Sequence, residues 1–72
     1  MEEDIYKKLG QKIKKYRLEK KLTQEELAEK LDVNSKYVGH IERAERRVGL
    51  ARLIKLADIL GVKLRDLFDF DY

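Results

Sequence analysis

The sequence predicts an all-α domain, and three observations predict it. Apolar residues recur at spacings of three and four along nearly the whole chain. No stretch alternates apolar and polar residues at period two with β-branched enrichment, as a strand would. Residues that start and stop helices stand at the ends of the periodic segments. At 72 residues the chain has room for one small domain, taken as residues 1–72. With no Cys and a single His, neither a disulfide framework nor a Cys/His zinc site is available.

In the first segment Ile5, Leu9, Ile13 and Tyr16 form one apolar stripe flanked by lysines, which predicts a helix over about 5–20. Gly10 interrupts it at a cost of roughly 1 kcal/mol relative to Ala, a sign of close backbone packing. Thr23 and Glu26 have the spacing of a capping box, in which each side chain accepts from the other residue's backbone N–H. Leu22 and Leu27 stand where a hydrophobic staple would close, and Leu27, Ala28 and Leu31 supply the buried stripe of a short helix over 23–31. Asp32-Val33-Asn34 then breaks the pattern, since Asp tolerates left-handed backbone and Asn is a leading N-cap. A third helix begins at Ser35, turns Val38 and Ile41 inward and ends near Ala44. Gly49 is a modest N-cap for a fourth, whose apolar face is Leu50, Leu53, Leu56, Ala57 and Leu60, and Gly61 is its left-handed stop. Leu64, Leu67 and Phe68 form one last short turn or helix, before an acidic aromatic tail at 69–72.

Charge is unevenly spread. The chain carries a net +3, but residues 5–21 hold eight bases against Glu19 alone, whereas residues 22–34 come to −3 and residues 35–47 to +2. Such blocks suggest a basic face aimed at a polyanion; their bland alternative is a set of lysines that keeps a small protein soluble. Two helices joined by a three-residue turn, the second carrying Lys36, His40 and Arg43 outward, meet the requirements of a helix-turn-helix with its core at 23–44.

Leu9-Gly10, Ile13, Arg17 and Leu22-Thr23-Gln24-Glu25-Glu26-Leu27-Ala28 resemble the Cro/phage-repressor (Xre-like) helix-turn-helix family. Val33-Asn34, Val38-Gly39, Ile41-Glu42-Arg43 and the leucine pattern of 50–68 extend the match over residues 9–68. The resemblance implies a compact five-helix lambda-repressor-like domain that binds double-stranded operator DNA, commonly as a homodimer, with helix 3 in the major groove. It implies a transcriptional regulator of the repressor type. The sequence departs from the family pattern at Asp32 and Ala44, where Gly is typical, and at Gly39, where Ser is frequent. Ala44 would cost about 1 kcal/mol at positive φ, so helix 3 is expected to run longer here.

Candidate contacts follow from helix geometry together with this resemblance. With 38 and 41 inward, residues 35, 36, 39, 40 and 43 face away and would enter the major groove. Lys36 can donate to guanine O6 and N7, while the Ser35 hydroxyl and the His40 ring can reach a base or a phosphate. Tyr37 covers the core edge and can offer its hydroxyl to DNA. Gln24 matches a family position that meets the DNA backbone and braces helix 3, a double duty suited to an amide that donates and accepts. Arg43, Arg46 and Arg47 are placed for sequence-neutral phosphate contacts. Arg17 and Glu42 match the family's structural ion pair between helices 1 and 3.

Ile54, Ile59, Phe70 and Tyr72 are apolar residues left over once the core is assigned, and they suggest a self-association surface. No catalytic residue, cofactor, metal or small-molecule ligand is expected, because His40 lacks a nucleophile or acid partner and there is no glycine-rich phosphate loop. No membrane segment is expected, because uncharged runs are too short; the missing cysteines fit a cytoplasmic protein. The alternative from another class is an antitoxin-like or adaptor module that binds protein on the same scaffold, which would not need a basic outward face on helix 3.

Overall fold

A computed structural model describes residues 2–71. Among these the chain forms five helices and no strand: α1 (Glu2–Glu19), α2 (Gln24–Leu31), α3 (Ser35–Glu42), α4 (Leu50–Leu60) and α5 (Leu64–Leu67). α1 starts earlier than periodicity suggested. α2 and α3 pack on each other, α1 lies across α3 and touches α4 and α5, and α4 backs α2. One core results, from Leu9 and Ile13 of α1, Leu27, Ala28 and Leu31 of α2, Val38 and Ile41 of α3, Leu53, Leu56, Ala57 and Leu60 of α4, and Leu67 of α5. No helix among the described residues is long and apolar enough to cross a membrane.

Local chemistry sets the helix starts. At α2 the Thr23 hydroxyl accepts from the Glu26 N–H at 3.0 Å and the Glu26 carboxylate accepts from the Thr23 N–H at 2.8 Å, a closed capping box. These bonds, the backbone one first, hold the Glu26 carboxyl below its ordinary pKa. Asn34 caps α3 by accepting from the Lys36 N–H at 2.8 Å.

Four helices stop in the same way. After each, a residue at positive φ lets two backbone N–H groups close back onto the last turn. The residues are Lys21 (φ 58°), Asp32 (62°), Ala44 (59°) and Gly61 (70°). Only the last is the residue type that takes this backbone without steric cost. α3 therefore does not run on to Ala44: it ends at Glu42, with the Ala44 N–H donating to the Ile41 carbonyl at 3.2 Å and the Glu45 N–H to the His40 carbonyl at 2.8 Å. The expectation of a longer helix fails because closing those two bonds, with the chain turning away toward α4, outweighs the strain on one alanine.

Gly10 lies where α1 meets the end of α3. A Cβ there would stand 2.5 Å from the Ile41 carbonyl oxygen and 2.6 Å from that of Glu42, so this crossing needs glycine. Leu50, assigned to the buried face of α4, is instead 64 % exposed, and Phe68 is also exposed. The tail folds onto α1, where Lys8 Nζ sits 5.8 Å from the centre of the half-buried Phe70 ring and donates to the Asp71 carbonyl.

Candidate nucleic-acid interface

The start of α2 and the outward side of α3 enclose an open concavity of about 310 Å³, lined by Gln24, Glu25, Ser35, Lys36, Gly39, His40 and Arg43. Its position follows from the three-residue turn, which sets the capped end of α2 beside the first turns of α3. Lys36 is exposed, whereas Ser35 and His40 are half-buried at its edges. Gly39 is buried: a Cβ on it would meet Arg43 Nη1 at 3.0 Å and Gln24 Oε1 at 3.4 Å, so those two side chains lie over it. The residue read as an outward contact is thus the floor of the groove.

Beneath that floor, α3 is fixed to α1 and α2 by directional bonds. Arg17 Nε donates to Glu42 Oε2 at 2.6 Å and Nη2 to Oε1 at 3.2 Å, a forked pair with both residues buried. Arg17 Nη1 also donates to the Leu22 carbonyl at 2.8 Å, which holds the turn before α2. Gln24 Nε2 completes the set by donating to Glu42 Oε1 at 3.0 Å. The Gln24 amide therefore faces both ways, its nitrogen bonded to the end of α3 and its oxygen beside Gly39 in the groove.

At the other end of the groove stands Glu45, which the sequence reading passed over. Its Oε1 accepts from Arg43 Nε at 3.1 Å and Arg43 Nη2 at 3.0 Å, and His40 Nδ1–H donates to the same oxygen at 2.9 Å. The Arg43 hydrogen bond, followed by that of His40, holds the Glu45 carboxyl below its ordinary pKa, and Glu45 in return raises that of Arg43. On a continued helix Glu45 would have stacked over Val38 and Ile41, on the buried side. Left-handed Ala44 carries it to the outward side instead. The signal for this was the family's usual glycine at that position.

The remaining candidates lie elsewhere. Tyr37 is half-buried against the core, and its ring carries Arg46 at 5.9 Å and Arg52 of α4 at 4.8 Å, so it is an aromatic bracket between α3, the following loop and α4. Arg47 turns toward α1, where its guanidinium lies 5.3 Å from the Tyr6 ring. Tyr37, Arg46 and Arg47 are therefore not part of the groove that gathers Gln24, Ser35, Lys36, Gly39, His40 and Arg43. Phe70 lies beside Lys8 of α1 rather than over the outward side of α3.

Of the leftover apolar residues, Ile54 is 54 % exposed, one turn from exposed Leu50 on the same side of α4. Ile59 packs on the core and Phe70 is half-buried, which removes both from an open surface; Tyr72 lies outside the described residues.

A family model described as helix-turn-helix matches residues 13–67. The control protein C.BamHI of Bacillus amyloliquefaciens is 42 % identical over 62 residues, covering 85 % of this chain and 76 % of that protein. The crystal structure of the restriction-modification controller protein C.AhdI from Aeromonas hydrophila superposes with a TM-score of 0.83 at 40 % identity, over 88 % of this chain and 96 % of that one. SinR, a master regulator of biofilm formation solved in complex with DNA, superposes with a TM-score of 0.78 at 39 % identity, over 85 % and 98 % of the two chains.

Proposed function

The chain belongs to the helix-turn-helix family, and on that footing we propose that it is a sequence-specific double-stranded-DNA-binding transcriptional regulator of the repressor type. The observation that carries this reading is the open groove of α2 and α3, where Lys36, His40 and Arg43 present hydrogen-bond donors along the outward side of α3. An α-helix fits the major groove, and the directional bonds around Glu42 hold this one at a set angle. SinR, similar over nearly its whole chain, is solved on DNA.

Residues 1–72 act as one domain, with 23–44 as the reading unit. Lys36 contacts a base edge, and Ser35 and His40 reach bases or phosphates beside it. Gln24 meets the backbone at the groove's rim, while Arg46 and Arg47 approach phosphates on either flank, each resting on an aromatic ring. Two copies pair through the exposed Leu50–Ile54 side of α4, setting their recognition helices about 10 bp apart on a near-palindrome. The protein works in the cytoplasm and catalyses no reaction.

Selection from a random duplex pool, with solution mass measured alongside, tests this. The expected result is a near-palindromic site, a dimeric mass that Ile54→Glu reduces to a monomer, and binding that weakens with salt at a log–log slope of about −0.9 per phosphate neutralised. Lys36→Ala relaxes one position per half-site at a cost of about 1–3 kcal/mol. A flat salt response and no selected site, together with co-purification of a stoichiometric protein, would favour an adaptor or antitoxin-like module instead.

A further inference from the structure

Arg43 stands at the end of α3, where a phosphate contact is the usual expectation, yet its guanidinium is not there. The side chain runs back one turn along the outward face and covers Gly39, close enough that a Cβ on Gly39 would meet Nη1 at 3.0 Å and Nη2 at 3.3 Å. That places it between Lys36, His40 and the Gln24 amide, among the residues that line the groove. Two of its five N–H groups, on Nε and Nη2, are already bonded to Glu45 Oε1. The three that remain lie on Nη1 and Nη2, and a guanine edge takes two of them through O6 and N7.

We infer that Arg43 reads a guanine base, and that Glu45 and Gly39 are the positioning residues that make it do so. The inference rests on the DNA-binding reading above. Gly39 leaves the space in which the guanidinium lies. Glu45 holds one edge of the fork and is itself held by His40, so the plane of the group is set before DNA arrives. Charge separates this role from a phosphate clamp. The Glu45 carboxylate stands about 3 Å from the guanidinium nitrogens, and it would repel a phosphate brought to the same group, whereas a neutral base edge meets no such opposition. Arg46 and Arg47, each over an aromatic ring on the flanks of the groove, keep the phosphate role.

The test uses the full chain and compares wild type with Arg43→Ala, Glu45→Ala and Glu45→Gln. For each, base preference is taken from a randomised duplex pool, the salt slope from binding titrations, and folding from circular dichroism. Arg43→Ala is expected to lose a guanine preference of about 5- to 150-fold at one position per half-site while the salt slope stays as in wild type. Glu45→Ala is expected to weaken discrimination at that same position in a folded protein, and Glu45→Gln, which keeps an acceptor, to restore it. The inference is overturned if Arg43→Ala lowers affinity equally on all sequences and reduces the slope by about 0.9, the mark of a lost phosphate contact. Should Arg43→Ala bind too weakly to measure, unchanged guanine preference in Glu45→Ala overturns it and lost preference supports it. A wild type that binds no duplex overturns the DNA-binding reading and this inference together, whereas wild-type binding with a uniform Arg43→Ala effect removes only the second.

Discussion

Arg17→Met removes the three guanidinium hydrogen bonds from the site where α1, the turn before α2 and the end of α3 meet. Glu42, with its side chain 2 % exposed, then keeps only the Gln24 amide as partner, and the Leu22 carbonyl loses its Arg17 donor. Breaking one half of a buried pair costs about 3–5 kcal/mol, because the surviving charge stays desolvated without compensation. A domain of 72 residues has a total stability of roughly 4–11 kcal/mol. The single change therefore removes about a quarter of it or more and lowers the urea midpoint by about 3–5 M, for a slope near 1 kcal/mol/M. The double variant Arg17→Met/Glu42→Leu has no orphaned charge, and Gln24, half-buried, can turn its amide to water. It is expected to recover most of the loss, with a coupling of about 2–3 kcal/mol in the double-mutant cycle. Urea melts followed at 222 nm on the four proteins measure this. Single losses below about 1 kcal/mol that simply add would refute the reasoning, since Glu42 would then be solvated despite its burial.

Three further outcomes are expected. Gly10→Ala gains about 1 kcal/mol of helix propensity but sets a Cβ 2.5 Å from a carbonyl oxygen, so α1 must withdraw from α3, and overpacking gives a net loss of about 1–2 kcal/mol in thermal or urea melts. Ala44→Gly relieves a left-handed alanine and raises stability by about 1 kcal/mol, which calorimetry reads as roughly 4–8 °C in Tm. Glu26 has a lowered pKa when folded, so its contribution is complete above the unfolded value of about 4.3 and is lost as pH falls through the folded one; the stability gap between wild type and Glu26→Ala is expected to close on acidification, which melts from pH 7 to pH 2.5 would follow.

What could be read from the sequence depended on whether the signal was local. Thr23, Asn34 and Gly61 announce helix ends through side-chain or backbone chemistry confined to three or four neighbours, and those ends stand where the residues put them. Gly10 announced a close approach through its cost, though not which helix approaches. Ala44 is the best helix former in a place that needs a left-handed turn; against that local preference the family's usual glycine was the one signal, and setting it aside hid Glu45, whose side of the chain depends on that one dihedral. Leu50 shows a different limit. Periodicity gives the angle of a side chain around its helix but not whether anything stands opposite, and at the start of α4 solvent does. The groove residues on α2 and α3 were accessible because outward angles on two short helices joined by a three-residue turn leave little freedom. Tyr37, Arg46 and Arg47 lay beyond that reach, since ring stacking across a loop has no signature in spacing.

The bonds that converge on Glu42 bear on how finely α3 can be aimed. Aliphatic surfaces let one helix creep along another by a fraction of an ångström with little change in energy, because dispersion has no preferred direction. A forked guanidinium–carboxylate contact of 2.6 and 3.2 Å, with a carboxamide on one of the same oxygens, resists that creep in more than one direction at once. The helix that carries Lys36 is thus mounted like an instrument on a kinematic stage, and its alignment survives changes in the greasy interior that would let a purely hydrophobic mounting drift.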